Sequence, residues 1–166
     1  MARSRPITFM RALALTAAAA LTVITVASSA DTPSPFVGTW VLSVPKSAFD
    51  PPPAPKSQTV AITQAAGSTT HVIIDTVEAD GSSDRLEYTT GTDGRAVPVT
   101  GVPNIDSMTN TLVNPRTAKT VYLKAGKLVS SGTFTVSKSG KTMQGPLSGP
   151  NADGSVWKYH YVYARQ

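Results

Sequence analysis

From residue 31 onward the chain alternates. Short runs rich in threonine, valine, isoleucine and tyrosine change from apolar to polar with a period near two, and almost nothing follows the three-to-four spacing of a helix. Strands are predicted at 38–44, 57–64, 70–77, 85–90, 95–99, 107–114, 120–124, 127–137, 142–147 and 155–165. Between them stand Ala66-Gly67-Ser68, Asp80-Gly81, Asp93-Gly94, Ala125-Gly126, Ser139-Gly140 and Asp153-Gly154, each offering a residue that accepts positive φ in a tight hairpin. Asn114-Pro115 supplies a further turn. Hairpins in series place sequence neighbours side by side in space, so the expected fold is all-β, an up-and-down antiparallel meander of about eight to ten strands. A meander of that length leaves two exposed edges unless the sheet closes, so a closed or nearly closed barrel is expected; an open sheet or a two-sheet sandwich is the alternative.

Two segments interrupt the alternation. Residues 45–56 hold Pro45, Pro51, Pro52, Pro53 and Pro55, and proline has no amide to give to a central ladder, so this stretch is read as a crossover or lid. Lys46, Ser47, Ala48 and Phe49 are placed in a short helical turn just before the prolines. Pro98 to Pro103, with Gly101 between them, is expected to bend the chain between strands.

The first thirty residues follow another pattern. Arg3, Arg5 and Arg11 precede an apolar run from Ala12 to Ala27, and small residues follow: Ser28, Ser29 and Ala30. A basic head, a short apolar core and small residues three and one before Ala30/Asp31 are the features of a cleavable signal peptide. The run is too short and too interrupted by Thr16, Thr22 and Thr25 for a membrane span of about 20 apolar residues. The expectation is a signal peptide at 1–30, a single β-barrel domain at 31–166, no membrane anchor after cleavage and a periplasmic or secreted location. The formal charge changes meaning accordingly. The whole chain carries +5, but residues 31–166 hold 12 basic against 10 acidic side chains, scattered and without a basic run. A nucleic-acid partner is not expected from that distribution. With no cysteine, the chain has neither disulfides nor a thiol for lipid attachment, so stability rests on packing.

The stretch Phe36-Val37-Gly38-Thr39-Trp40-Val41-Leu42 resembles the opening of the calycins, the lipocalins and fatty-acid-binding proteins, where a GxW or GTW signature begins the first strand. Pro45-Lys46-Ser47, Phe49 and Ser57-Gln58-Thr59-Val60 also resemble a group of exported bacterial proteins of unassigned function. The calycin resemblance implies a barrel whose signature tryptophan, Trp40, closes one end under an arginine from the last strand, for which Arg165 is the candidate. Fatty-acid-binding proteins end in an Arg-x-Tyr pair that grips a carboxylate. Here the order is reversed, Tyr163-Ala164-Arg165.

The last predicted strand carries the densest chemistry. Trp157, Tyr159, Tyr161, Tyr163 and Arg165 alternate with smaller or polar residues and so share one face. With Tyr88 they form the candidate ligand-binding set, able to stack on a ring and hydrogen-bond to it; the plainer reading of any one of them is core packing. Other inward faces are read as Trp40, Leu42 and Val44; Val60 and Ile62; Val72 and Ile74; Leu86; Met108 and Leu112; Val121 and Leu123; Leu128 and Phe134; Met143 and Leu147. Ser130, Gly132 and Gly145 are read as leaving room for a cavity, with bulges or bends as the alternative for the glycines. No nucleophile beside a base, carboxylate pair or metal-ligand spacing is visible. His71 and His160 are isolated on strands, Asp80, Asp84, Asp93 and Asp153 belong to turns, and Asp75 and Glu78 have no assignable partner. No catalytic residue, metal or cofactor is therefore expected. The functional expectation is an exported, non-enzymatic module that binds a small, mostly apolar or amphipathic molecule. An envelope module contacting protein or polysaccharide is the second reading, and a small calycin-type enzyme the third.

Overall fold

Antiparallel strands make up most of residues 34–166, the part of the chain that the computed structural model describes. The segment read as an export signal, with its cleavage point, lies outside them. The strands are β1 Gly38–Leu42, β2 Ala48–Asp50, β3 Ser57–Gln64, β4 Thr70–Val77, β5 Ser83–Thr90, β6 Asp93–Pro98, β7 Ser107–Asn114, β8 Thr117–Lys124, β9 Lys127–Val136, β10 Thr142–Pro150 and β11 Val156–Arg165. They run round a nearly closed barrel in the order β5, β4, β3, β1, β11, β10, β9, β8, β7, β6, with β2 also against β11. The meander expected from the alternation and its turns is the observed topology.

β2 is an addition to the expected ten strands. The first strand ends at Leu42 rather than at position 44, and Val44–Lys46 form a single 3-10 turn. Ala48, Phe49 and Asp50 then pair with His160, Tyr159 and Lys158, so of the residues assigned to a helical turn Lys46 closes the 3-10 turn while Ala48 and Phe49 are extended. Ser47 explains why. Its hydroxyl donates to the Ser43 carbonyl at 2.9 Å and accepts from the Val162 amide at 2.9 Å, while the Ser43 amide donates to the Val162 carbonyl at 2.8 Å. The side chain thus fills a ladder position the turn removes, and β1 and β2 act as one broken strand along β11. The prolines at 51, 52, 53 and 55 follow where no ladder amide is needed.

The two ends of the sheet meet at a thin seam. β5 is joined to the chain just beyond β6 by one isolated bridge, Glu87 with Thr100, made of two hydrogen bonds at 3.1 and 3.0 Å. Asp93-Gly94 was expected to turn a hairpin here. Instead it lies inside β6, at a bulge against β7, and Gly94 takes its positive φ there. Gly101 does hold the bend read into 98–103: at φ +92°, a β-carbon on it would stand 1.9 Å from the Arg85 carbonyl oxygen.

Two apolar clusters pack the interior. One joins Trp40, Leu42, Val60, Ile62, Val72, Val136, Met143, Tyr161 and Tyr163; the other joins Val99, Met108 and Tyr122. Trp40 is wholly buried at the floor. An aromatic side chain of that kind removes roughly 200 Å² from water, gross about 5 kcal/mol before entropy.

Candidate functional site

The floor is built from the two ends of the described chain. The indole Nε1 of Trp40 donates to the Phe36 carbonyl at 2.8 Å, and the Arg165 guanidinium lies 4.1 Å from the indole ring centre. Arg165 spends its donors on main-chain carbonyls: Nε to Gly140 and Nη2 to Pro35, both at 2.6 Å, and Nη1 to Val37. Gly38 carries φ +140°, and a side chain there would strike Nη1, which is a physical reason for glycine at the start of the Gly38-Thr39-Trp40 run. Arg165 faces the floor, where three carbonyls hold it, and is not among the residues that line the chamber above it.

Above the floor is a cavity of roughly 360 Å³. That lies at the low end of the range for small-molecule pockets, roughly 300–1,000 Å³. Val60, Ile62, Val72, Ile74, Leu86 and Met143 supply apolar wall, and Trp157, Tyr161, Tyr163 and Tyr88 from the sequence-derived set line it too. Tyr159 does not. Its ring meets Phe49 edge-on at 5.1 Å and Trp157 at 4.8 Å, because β2 docks against β11 at that level. The alternation along β11 does place Tyr161 and Tyr163 inward and Lys158, His160 and Ala164 outward. A ten-residue strand spans about 33 Å, however, which is longer than the chamber. The face is shared, but Arg165 falls below the chamber and Tyr159 is covered.

Tyr122 is the largest of the lining residues the sequence reading missed. Val121 and Leu123 were read as inward, yet Ala118, Thr120 and Tyr122 are the buried positions of β8. Residues 120–124 alone fit either face; only the full strand, with Ala118 included, gives the inward alternation. A bulge between β8 and β9 also turns Leu128 outward, where it is half exposed, and brings Ser130 inward. Gly132 and Gly145 serve the close approach of β9 and β10 rather than the cavity. A β-carbon at Gly145 would stand 2.0 Å from the Thr133 carbonyl oxygen, and one at Gly132 2.3 Å from that of Pro146.

The polar groups inside are few and neutral. Tyr163 donates to Gln58 Oε1, whose Nε2 donates to Thr76 Oγ1 at 2.8 Å. The Tyr88 and Tyr122 hydroxyls are 3.5 Å apart, too long for a strong bond. The Tyr161 and Ser130 hydroxyls make no hydrogen bond among the described residues, although both residues are over nine-tenths buried. No buried side-chain polar atom of the described residues is sealed off without a partner, so these hydroxyls open onto the chamber. Burial pushes the Tyr88 phenol up to about 12, against the opposing hydrogen bond from Tyr122, and pushes Tyr122, Tyr161 and Tyr163 well up as well. These phenols stay neutral at ordinary pH and act as hydrogen-bonding groups, not as bases.

At the rim where the β4–β5 turn meets the start of β11, Glu78 and Asp84 line the opening. Burial, and then Asp84 and Asp80, hold the Glu78 carboxyl above the usual range. The histidines lie elsewhere: His71 bonds Thr89 at 3.1 Å and stands 3.4 Å from Glu87, and His160 is exposed on the outer face. Among the described residues no three His, Asp or Glu side chains gather in a way that could hold a metal ion.

No protein-family model matches the sequence, and a search of curated proteins finds no significant match. Solved structures do resemble it. The crystal structure of the wild-type fluorescent protein UnaG aligns at TM-score 0.51 and 17% identity, covering 79% of this chain and 97% of UnaG. A single-substitution mutant of UnaG aligns at 0.52 and 17%, covering 80% and 96%. At this identity the likeness establishes a shared calycin-like barrel fold.

Proposed function

We propose that this protein is an exported, non-enzymatic binding module that holds a small, mostly apolar molecule inside its barrel. The observation that carries the reading is the chamber: roughly 360 Å³, walled by aliphatic and aromatic side chains, with a few uncharged hydroxyls open to it. Apolar area supplies affinity in such a site, and sparse polar groups supply orientation. Export rests on the basic head, the apolar run and the small residues ending at Ala30. Native mass spectrometry of the protein purified from its own cell envelope tests both parts. The expected spectrum shows a chain beginning at Asp31 with a small molecule bound noncovalently. A chain that retains residues 1–30 defeats the export half, and a protein that neither carries a ligand nor takes up an uncharged fluorophore defeats the binding half.

A further inference from the structure

We infer that the chamber selects a cationic amphiphile, an organic ammonium on an apolar body, and rejects carboxylates; this rests on the small-molecule reading above. The lining contains no lysine, arginine or histidine, while Glu78 and Asp84 both belong to it. Several nearby cations are held elsewhere. Arg165 is held by three floor carbonyls, Arg85 by Asp75 at 2.7 Å, Arg95 by Asp93 at 3.2 Å and Lys124 by Asp106 at 3.9 Å. Lys56 has no ion-pair partner among the described residues, but its ammonium lies beside Gly81, its charge bears on Asp80, and it does not line the chamber. A carboxylate drawn into this chamber would lose its hydration and meet no counter-ion, a costly transfer.

An ammonium group meets the opposite conditions. Neither Glu78 nor Asp84 has an ion-pair partner among the described residues, so both are free to take one. Trp157 lines the same opening with its ring 4.8 Å from Tyr159, and the charge of Glu78 is felt by the phenols of Tyr159 and Tyr161. Aromatic faces beside carboxylates at a partly desolvated mouth attract a cation by both the ring quadrupole and the opposite charge. Deeper in, the open hydroxyls of Tyr161 and Ser130 accept or donate to a neutral polar atom of the body. One end of the ligand is thus specified as positive and the remainder as apolar with at most a few neutral polar atoms.

Displacement of an uncharged fluorophore, N-phenyl-1-naphthylamine, by three probes with one tail separates the terms: dodecylammonium, dodecanol and dodecanoate, at pH 7 and low ionic strength. Dodecylammonium is expected to displace the fluorophore at a concentration at least tenfold below that of dodecanoate. In the double variant Glu78→Gln/Asp84→Asn that gap should shrink to under threefold, whereas Asp93→Asn, which removes one negative charge remote from the rim, should keep it. Dodecanoate equal to or better than dodecylammonium overturns the inference, as does a gap that survives the double variant or collapses equally in Asp93→Asn. In those cases displacement by dodecanol leaves the small-molecule reading standing. If neither the fluorophore nor any of the three chains binds, both fall together.

Discussion

The Arg165 guanidinium lies 4.1 Å from the Trp40 ring centre while bonding to the carbonyls of Pro35, Val37 and Gly140, so the last strand, the first strand and the β9–β10 turn are fastened at one point. Hydrogen bonds from a charged donor are worth about 1.5–3 kcal/mol, and truncation leaves the partners unpaired. Arg165→Ala should therefore lower unfolding stability by about 2–4 kcal/mol in urea titrations. Arg165→Lys should recover less than half of that, because an ammonium lacks the planar fork that reaches three acceptors while stacking on an indole.

Gly101 is the second fixed point. With φ +92° and the Arg85 carbonyl oxygen 1.9 Å from where a β-carbon would sit, Gly101→Ala must displace the backbone beside the seam. The expected cost is about 1–3 kcal/mol. Hydrogen exchange should localise it: the amides of Glu87 and Thr100 should lose protection before those of the β10–β11 ladder.

Alkaline titration should find the phenols late. All five tyrosines are shifted upward with burial as the first cause, Tyr88 to about 12. A phenol whose folded value exceeds its unfolded value keeps its full stability below about pH 10 and loses it as pH rises toward the folded value, because the unfolded state releases the proton first. Each deeply buried tyrosine then steepens the loss by about 1.4 kcal/mol per pH unit. Absorbance at the tyrosinate band should stay flat to about pH 10 and then rise together with loss of the folded circular-dichroism signal; a step of several phenolates in the intact fold would contradict this burial.

Tyr161 and Tyr159 separate binding from stability. The Tyr161 hydroxyl has no partner among the described residues, so Tyr161→Phe should change stability by less than about 0.5 kcal/mol and weaken a hydrogen-bonding ligand about three- to tenfold. Tyr159→Phe should leave ligand affinity unchanged, since that ring is covered by Phe49 rather than open to the chamber. Calorimetric unfolding and fluorophore displacement on both variants give the comparison.

The meander order and antiparallel pairing were legible in the alternation and its glycine-bearing turns, because each is a local signal. What escaped was set by long-range pairing. Ala48–Asp50 look like a break before prolines until β11 offers them a partner, and the Ser47 hydroxyl that makes this possible bonds a residue 115 positions away. Tyr122 and Leu128 were assigned to the wrong sides because an apolar residue stands on both faces of β8 and a bulge shifts β9 by one position. Trp157, Tyr161, Tyr163 and Tyr88 could be picked out as candidate lining from alternation or size. That Tyr159 is covered and Arg165 spent on carbonyls could not, since both depend on where the chamber ends.

The seam between β5 and β6 gives the wall an expansion joint. Most neighbouring strands are laced by ladders of four to nine residue pairs, but here a single bridge holds the circumference. A guest slightly too wide for the chamber would be expected to spread the ring at this joint, giving up two hydrogen bonds rather than a ladder.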